Sequence, residues 1–152
     1  VEASGCTNIE IVVVDSTLSP GEGYYDHWGA TPVNFIPPVA QTHINELLSR
    51  VDVLVAPSIW PEGFGLVTLE AAMAGVWVIA SDRGAIGDPV RSGLNGWTID
   101  VNDESELSEC LVNIDNDPDK YRRLVDGGEA QEWGMEQRVS FIRDEVLLKL
   151  HG

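Results

Sequence analysis

The chain has 152 residues, 43% hydrophobic and 22% charged, a size and composition typical of one globular domain with its own core. Nine basic residues stand against 25 acidic ones, so the formal net charge is −16 and neither nucleic acid nor an anionic membrane surface is an expected partner. No apolar run approaches the roughly 18 residues that a membrane-spanning helix needs, so membrane insertion is not expected.

The two cysteines, Cys6 and Cys110, are too few for a disulfide framework. Neither has a metal-ligand spacing to His27, His43 or His151. We therefore expect buried or idle thiols, no metal, no other cofactor and a reducing, cytoplasmic setting. The chain shows no signal peptide and does not begin with Met, so we interpret it as a fragment or processed piece.

The first half of the chain predicts two strands and a helix. Residues 9–15 form a β-branched run typical of a buried strand, and residues 33–39 form a second strand stopped by two prolines. Between them, residues 19–28 are expected to form a loop or a short irregular helix, with the aromatic side chains packed under it. Thr42 is the expected cap of a helix that continues to about residue 50.

The second half alternates strands with helices, which is typical of an α/β domain with a parallel sheet. The expected strands are residues 51–56, 76–80 and 97–99. The expected helices are residues 65–74, a short one at 86–91, one that Asp103 caps through about residue 114, one that begins at Pro118, and an amphipathic segment at 135–150.

Two carboxylates bracket the turn between the strand at 51–56 and the helix at 65–74. Glu70 lies mid-helix among apolar residues, where an unpaired carboxylate is costly, so either a local partner satisfies it or it faces a ligand cleft. Glu62 stands at the mouth of the turn, while Gly63 and Gly65 let the backbone approach a ligand closely. A helix start with unpaired N–H groups, placed after a strand's carboxyl end, suits a phosphate.

The spacing Glu62-x7-Glu70 inside P-S-x-W-P-E-G-F-G-L-V-x-L-E-A resembles the signature of the group-1 retaining glycosyltransferases, which have two Rossmann-like domains (the GT-B architecture). The likeness continues through residues 75–81, 83–88 and 93–97. It implies an α/β fold with a Rossmann-like, doubly wound parallel sheet over residues 1–152. This single domain would be the C-terminal, nucleotide-sugar-binding half, with its first βα unit missing.

The resemblance also implies roles for particular residues. Glu70 would accept hydrogen bonds from the ribose hydroxyls of a nucleotide diphosphate sugar, and Glu62 would be the catalytic residue that contacts the donor sugar. The base would lie against the backbone of Val39. Glu62 could instead be a helix-start carboxylate favoured by the macrodipole, and Phe64 a core residue. The amides offered to the sugar and phosphates would be those of Gly63, Phe64, Gly65, Leu66 and Val67.

Some parts of the family pattern are absent from this sequence. The family's glycine-arginine…lysine-glycine element, whose cations neutralise the diphosphate, has no counterpart, because Arg83 and Arg91 do not match it. Asp88 stands where the family often has a Glu of longer reach. The acceptor half would come from a missing N-terminal domain or another chain.

The implied activity is transfer of a hexose, with retention, from the nucleotide sugar to a saccharide or lipid-linked hydroxyl, as in polysaccharide biosynthesis. The alternatives are a nucleotide-sugar 2-epimerase of the same architecture and a non-catalytic nucleotide-binding or scaffold module.

The family's strand order raises one further expectation. The domain's first strand is central there, between the strands that match residues 9–15 and 53–56, and this chain begins after it. We expect the slot to be filled by a segment of another chain or by a further segment of this protein, or the two bare edges to close directly on each other.

Overall fold

The structure is a computed structural model, and it describes residues 5–122. Strands and helices alternate over most of this range. The strands are β1 Ile11–Val14, β2 Tyr24–Trp28, β3 Thr31–Ile36, β4 Val53–Ala56, β5 Trp77–Ser81 and β6 Gly96–Ile99. The α-helices are α1 Ile44–Leu48, α2 Leu66–Met73, α3 Glu104–Asn116 and α4 Pro118–Tyr121, and single 3-10 turns lie at Gln41–His43 and Ala85–Gly87.

The six strands form two sheets of three strands each. In the first sheet, β1 pairs in parallel with β3 from Ile11 opposite Val33, and β2 adds to the other edge of β3 in the antiparallel direction. In the second sheet, β4, β5 and β6 are all parallel. The α/β, Rossmann-like fold class is therefore confirmed.

The second sheet is covered by helices on both faces, as parallel sheets of this class are. Val78 and Ala80 point to one face of β5, and Ile79 points to the other. Each fully buried aliphatic side chain contributes about 1.5–3 kcal/mol relative to exposure, so this strand anchors the core. The first face packs on Leu48 of α1 and Ala71 of α2, together with Val76; the second packs on Ile99, Ile114 of α3 and Tyr121 of α4.

The hairpin of β2 and β3 corrects the expectation of a loop or irregular helix at residues 19–28. Gly29 takes φ 63 in the turn, which lets β2 fold back on β3. The Tyr24 ring stacks on Phe35 with the centroids 4.5 Å apart, and Trp28 meets Phe35 edge-on. Cross-strand aromatic pairs of this kind stabilise a hairpin, so the aromatic side chains pack on a strand and not under a loop.

Of the two helix caps that the sequence predicts, one is observed and the other is not. Asp103 caps α3 as expected, because its carboxylate accepts the Ser105 N–H at 2.9 Å. Thr42 does not cap a helix: it lies inside a 3-10 turn, and α1 follows without a side-chain cap. The helix expected at residues 86–91 is a single 3-10 turn. The amphipathic segment at 135–150 lies outside the described residues.

The two strand edges that were expected to flank the slot stay without a partner in the described part of the chain. β1 pairs with β3 alone, and β4 pairs with β5 alone. The expectation that the two edges close directly on each other is therefore wrong, because β1 and β4 belong to different sheets. Occupation of the slot by a segment of another chain or by a further segment of this protein stays a prediction.

Candidate functional site

The candidate site is the loop of residues 57–65, which connects the carboxyl end of β4 to the first residue of α2. Pro57 and Pro61 have no N–H to donate to a ladder, so the strand cannot continue through this loop. Gly65 precedes α2 without any side-chain cap. The loop therefore lies at the edge of the parallel sheet where ligands of open α/β folds bind.

The two loop glycines have different surroundings. A Cβ on Gly63 would meet nothing within 4 Å, so its backbone is open to a ligand. A Cβ on Gly65 would lie 2.6 Å from Thr68 Oγ1 and 2.7 Å from Ile86 Cα. Gly65 is buried, and packing inside the protein explains why no side chain fits there.

Several amides at the start of α2 are available to an anion. Leu66 N donates to Phe64 O at 3.1 Å, and Leu69 N makes the first helical bond to Gly65 O at 3.0 Å. Unpaired N–H groups at a helix start carry partial positive charge and point along the axis toward a ligand. Among residues 5–122, no backbone carbonyl accepts from the amides of Gly63, Phe64, Gly65, Val67 or Thr68.

Glu62 lies exposed in the loop, and Ser58 is its side-chain contact. Ser58 Oγ lies 3.2 Å from Glu62 Oε1 and 3.1 Å from Trp60 O. Hydrogen bonds of this length are weak, so Ser58 orients the carboxylate only loosely. The sequence motif contains Ser58, yet nothing in the sequence alone assigned it this contact.

Glu70 is half-buried on α2 and has a local partner. Gln41 Nε2 donates to Glu70 Oε1 at 2.7 Å. The sequence left open whether a local partner satisfies Glu70 or whether it faces a ligand cleft. The contact with Gln41 satisfies one of its two carboxylate oxygens. Within residues 5–122 no donor reaches the other oxygen. Gln41 is a site residue that the sequence reasoning missed, since 29 positions separate it from Glu70.

Val39, the position expected against a base, lies two residues before Gln41. Its side chain is half-buried, and its amide follows two prolines that have none. The contact between Gln41 and Glu70 brings the segment after β3 beside α2. Three of the expected site elements, Val39, Glu70 and the start of α2, thus belong to neighbouring parts of one surface.

Residues 57–65 and 82–88 hold three acidic residues, Glu62, Asp82 and Asp88, and one basic residue, Arg83. Arg83 follows β5, and its guanidinium lies 3.8 Å from Asp100 Oδ1 and 3.9 Å from Asp82 Oδ1. Both are long, partly exposed pairs, which contribute little to stability. Asp88 is exposed. In the described part of the chain, no group of three or more His, Cys, Asp or Glu residues could hold a metal ion.

The family model described as "Glycosyl transferases group 1" matches residues 28–131, which include the whole 57–65 loop and α2. This chain belongs to the group 1 glycosyltransferases. Curated relatives support the assignment: the D-inositol 3-phosphate glycosyltransferase of Streptomyces scabiei is 35% identical over 124 residues, which is 80% of this chain and 28% of the relative. The enzyme of the same name from Streptomyces coelicolor is 32% identical over 117 residues, or 76% of this chain and 25% of the relative.

A solved structure with the same fold agrees with this glycosyltransferase assignment. Sucrose-phosphate synthase from Thermosynechococcus elongatus superposes with a TM-score of 0.57 at 26% identity, over 78% of this chain and 29% of that chain. The glycosyltransferase chain thus spans between a quarter and three tenths of the length of these similar proteins. Among its described helices, none is both long and apolar enough to cross a membrane.

Proposed function

We propose that this group 1 glycosyltransferase chain binds the nucleotide diphosphate sugar from which a hexose is transferred. The observation that carries the proposal is the position of Glu70: a half-buried carboxylate with one oxygen held by Gln41, one turn beyond a helix start at which the amides of Gly65, Val67 and Thr68 donate to no backbone carbonyl of residues 5–122. A carboxylate accepts from two adjacent hydroxyls, which suits a ribose diol. The amides suit the diphosphate. In this arrangement the base lies against the backbone of Val39.

Glu62 is the residue that we assign to the donor sugar. Its carboxylate is exposed at the mouth of the loop, close to the open backbone of Gly63. It would accept hydrogen bonds from sugar hydroxyls and so hold the anomeric carbon over the acceptor. This is the role in which a small displacement lowers the rate, because positioning is a large part of group transfer.

In the transfer step the bond between the anomeric carbon and the diphosphate oxygen breaks, the acceptor oxygen forms the new bond on the same face, and the hydroxyl proton passes to the departing diphosphate. Negative charge develops on the departing diphosphate. Donors that are fixed beforehand at that oxygen lower the barrier most, which is the part we give to the amides of Gly63, Phe64, Gly65 and Val67. Arg83 pairs only at long range with Asp82 and Asp100. The cations that the family's glycine-arginine…lysine-glycine element supplies to the diphosphate have no counterpart in this sequence.

The acceptor, a saccharide or lipid-linked hydroxyl in the synthesis of a polysaccharide, would bind to a part of the protein other than this site. We therefore expect that the chain of 152 residues binds donor and transfers no hexose by itself. Two free thiols, one of them buried, favour a reducing cytoplasmic setting for the protein.

The proposal is tested by calorimetric titration of the purified chain with UDP-, GDP- and ADP-sugars. We expect one of them to bind with a dissociation constant on the order of 0.1–1 mM, or about 4–5 kcal/mol. Glu70→Ala should abolish the heat. Glu46→Ala, which removes the same charge from an exposed position of α1, should bind like the parent chain. If Glu70→Ala binds as well as the parent, the ribose assignment is wrong.

A further inference from the structure

The loop that follows β5 contacts the loop that carries Glu62. We call residues 82–87 the bracing loop. Gly84 forms an isolated parallel bridge with Glu62, and Ala85 N donates to Glu62 O at 2.7 Å. The backbone of Glu62 is therefore held by a segment from the neighbouring strand and not by its own loop alone.

At Gly84 the bracing loop and the 57–65 loop lie so close together that a side chain has no room between them. Its backbone has φ 70 and ψ −150, a conformation that is essentially restricted to glycine. A Cβ there would collide with Glu62 O and would lie 2.7 Å from Glu62 N and 3.1 Å from Pro61 C. All three atoms are backbone, so they cannot give way as the end of a side chain can. A side chain at this position would displace Glu62.

A second contact joins the same two segments where α2 begins. Thr68 is fully buried, and its hydroxyl lies 2.9 Å from Gly65 O and 2.8 Å from Ile86 O. The single hydroxyl proton is shared between these acceptors. Contacts thus lie on both sides of the dipeptide Gly63-Phe64: Glu62 with Gly84 and Ala85 on one side, Gly65 and Thr68 with Ile86 on the other.

We propose that the bracing loop sets the position of Glu62 against the donor sugar, with Gly84 and Thr68 as positioning residues. The inference rests on the proposed function, in which Glu62 contacts the sugar and Glu70 the ribose. Glu62 is exposed, and its side-chain contact with Ser58 is long. Its backbone is the part of the residue that is firmly held, so a displaced backbone carries the carboxylate with it.

The expected consequence is selective. Displacing Glu62 should weaken recognition of the sugar more than recognition of the nucleotide, because the contact of Gln41 with Glu70 does not involve the backbone of Glu62. The quantity to measure is the sugar increment, which is the affinity for a nucleotide sugar divided by the affinity for the matching nucleoside diphosphate. A purely structural role for Gly84 would lower both affinities together.

The test compares Gly84→Ala with Gly93→Ala in the chain of 152 residues. Gly93 also has a positive φ, 76, but a Cβ there would meet nothing within 4 Å, so it controls for backbone strain. The titrants are UDP, GDP and ADP and their glucose and mannose derivatives. We consider the nucleotide sugar whose sugar increment is largest in the parent chain. For it, Gly84→Ala should lower the sugar increment about tenfold, which is the scale of one hydrogen bond to a charged group. Gly93→Ala should keep it.

Amide hydrogen exchange, followed by NMR without ligand, tests the brace independently of donor binding. We expect the Ala85 amide to exchange at least about tenfold faster in Gly84→Ala, since its acceptor Glu62 O is displaced. It should be unchanged in Gly93→Ala. If the parent chain binds no nucleotide, the proposed function fails, while this exchange result still decides the brace.

Thr68 provides the second pair of variants, in case Gly84→Ala does not fold. Thr68→Val keeps the shape and removes the hydroxyl, and Thr68→Ser keeps the hydroxyl. We expect the sugar increment of Thr68→Val to be smaller than that of the parent chain. The sugar increment of Thr68→Ser should equal that of the parent chain. The inference is overturned if Thr68→Val or Gly84→Ala leaves the sugar increment and the Ala85 exchange as in the parent, or if the control variants lose as much.

Discussion

The two glycines of the 57–65 loop allow a sharp test of how the site is built, because only one of them has room for a methyl group. Gly65 has φ −86 and ψ 65, which alanine can adopt, so Gly65→Ala introduces no conflict with the backbone itself. The new Cβ would lie 2.6 Å from Thr68 Oγ1, 2.7 Å from Ile86 Cα and 3.1 Å from Ala85 O. Overpacking of this kind costs about 1–3 kcal/mol.

Gly63→Ala is the matched variant. Its Cβ would meet nothing within 4 Å, and its φ is not positive. Such a change leaves stability unaltered or raises it by about 0.4–1 kcal/mol, because the unfolded chain loses freedom. The two variants should therefore differ by roughly 2–3 kcal/mol in the free energy of unfolding, with Gly65→Ala the less stable.

Urea unfolding followed by tryptophan fluorescence measures this difference. With a slope of about 1–3 kcal/mol per molar urea, the two midpoints should lie about 0.7–3 M apart. Equal midpoints, or a lower midpoint for Gly63→Ala, would refute the close packing of α2 against the bracing loop.

Three further predictions concern single side chains. Gln41→Leu should weaken nucleotide diphosphate binding about threefold to tenfold in calorimetry, because the carboxylate on α2 loses the amide that orients it; unchanged affinity would contradict this. Hydrogen bonds from the Ser105 hydroxyl and amide lower the pKa of Asp103, so its stabilising contribution is present above the ordinary Asp range and lost as pH falls through its lowered pKa. The stability gap between the parent and Asp103→Ala should shrink on acidification, and a gap independent of pH would count against it. Burial raises the pKa of Cys6 and of Cys110, so iodoacetamide should alkylate both more slowly in the native chain than in urea near pH 7; equal rates would contradict burial.

The strands that could be predicted from the sequence are those with an apolar run. Residues 51–56 and 76–80 have such runs, and they became β4 and β5 because both faces of the sheet are covered. Burial did not always follow: residues 9–15 were expected to form a buried strand, but Val12 and Val14 of β1 are exposed. β2 could not be found this way. All five of its residues are exposed, so it lacks the period-two alternation that marks a strand, and its turn is set by the φ of Gly29.

The candidate site was predictable only where its residues are close in sequence. The motif placed Glu62 and Glu70 at a helix start, and the structure has that helix at Leu66–Met73. Gln41 and Gly84 reach the site through tertiary contacts from other elements, which a single sequence does not reveal. The division into two sheets likewise depends on strand pairing and not on any local pattern.

The most direct test of the account is an NMR titration of the isotope-labelled chain with the nucleotide sugar that binds in calorimetry. Its central claim is that the donor lies across the start of α2, between Glu62 and Glu70. The account predicts that amide shifts concentrate in Val39, in residues 62–67 and in Glu70, and that the nucleoside diphosphate alone reproduces them except at Glu62. Shifts centred on the hairpin of β2 and β3 or on α3, with the amides of residues 62–70 unmoved, would contradict it.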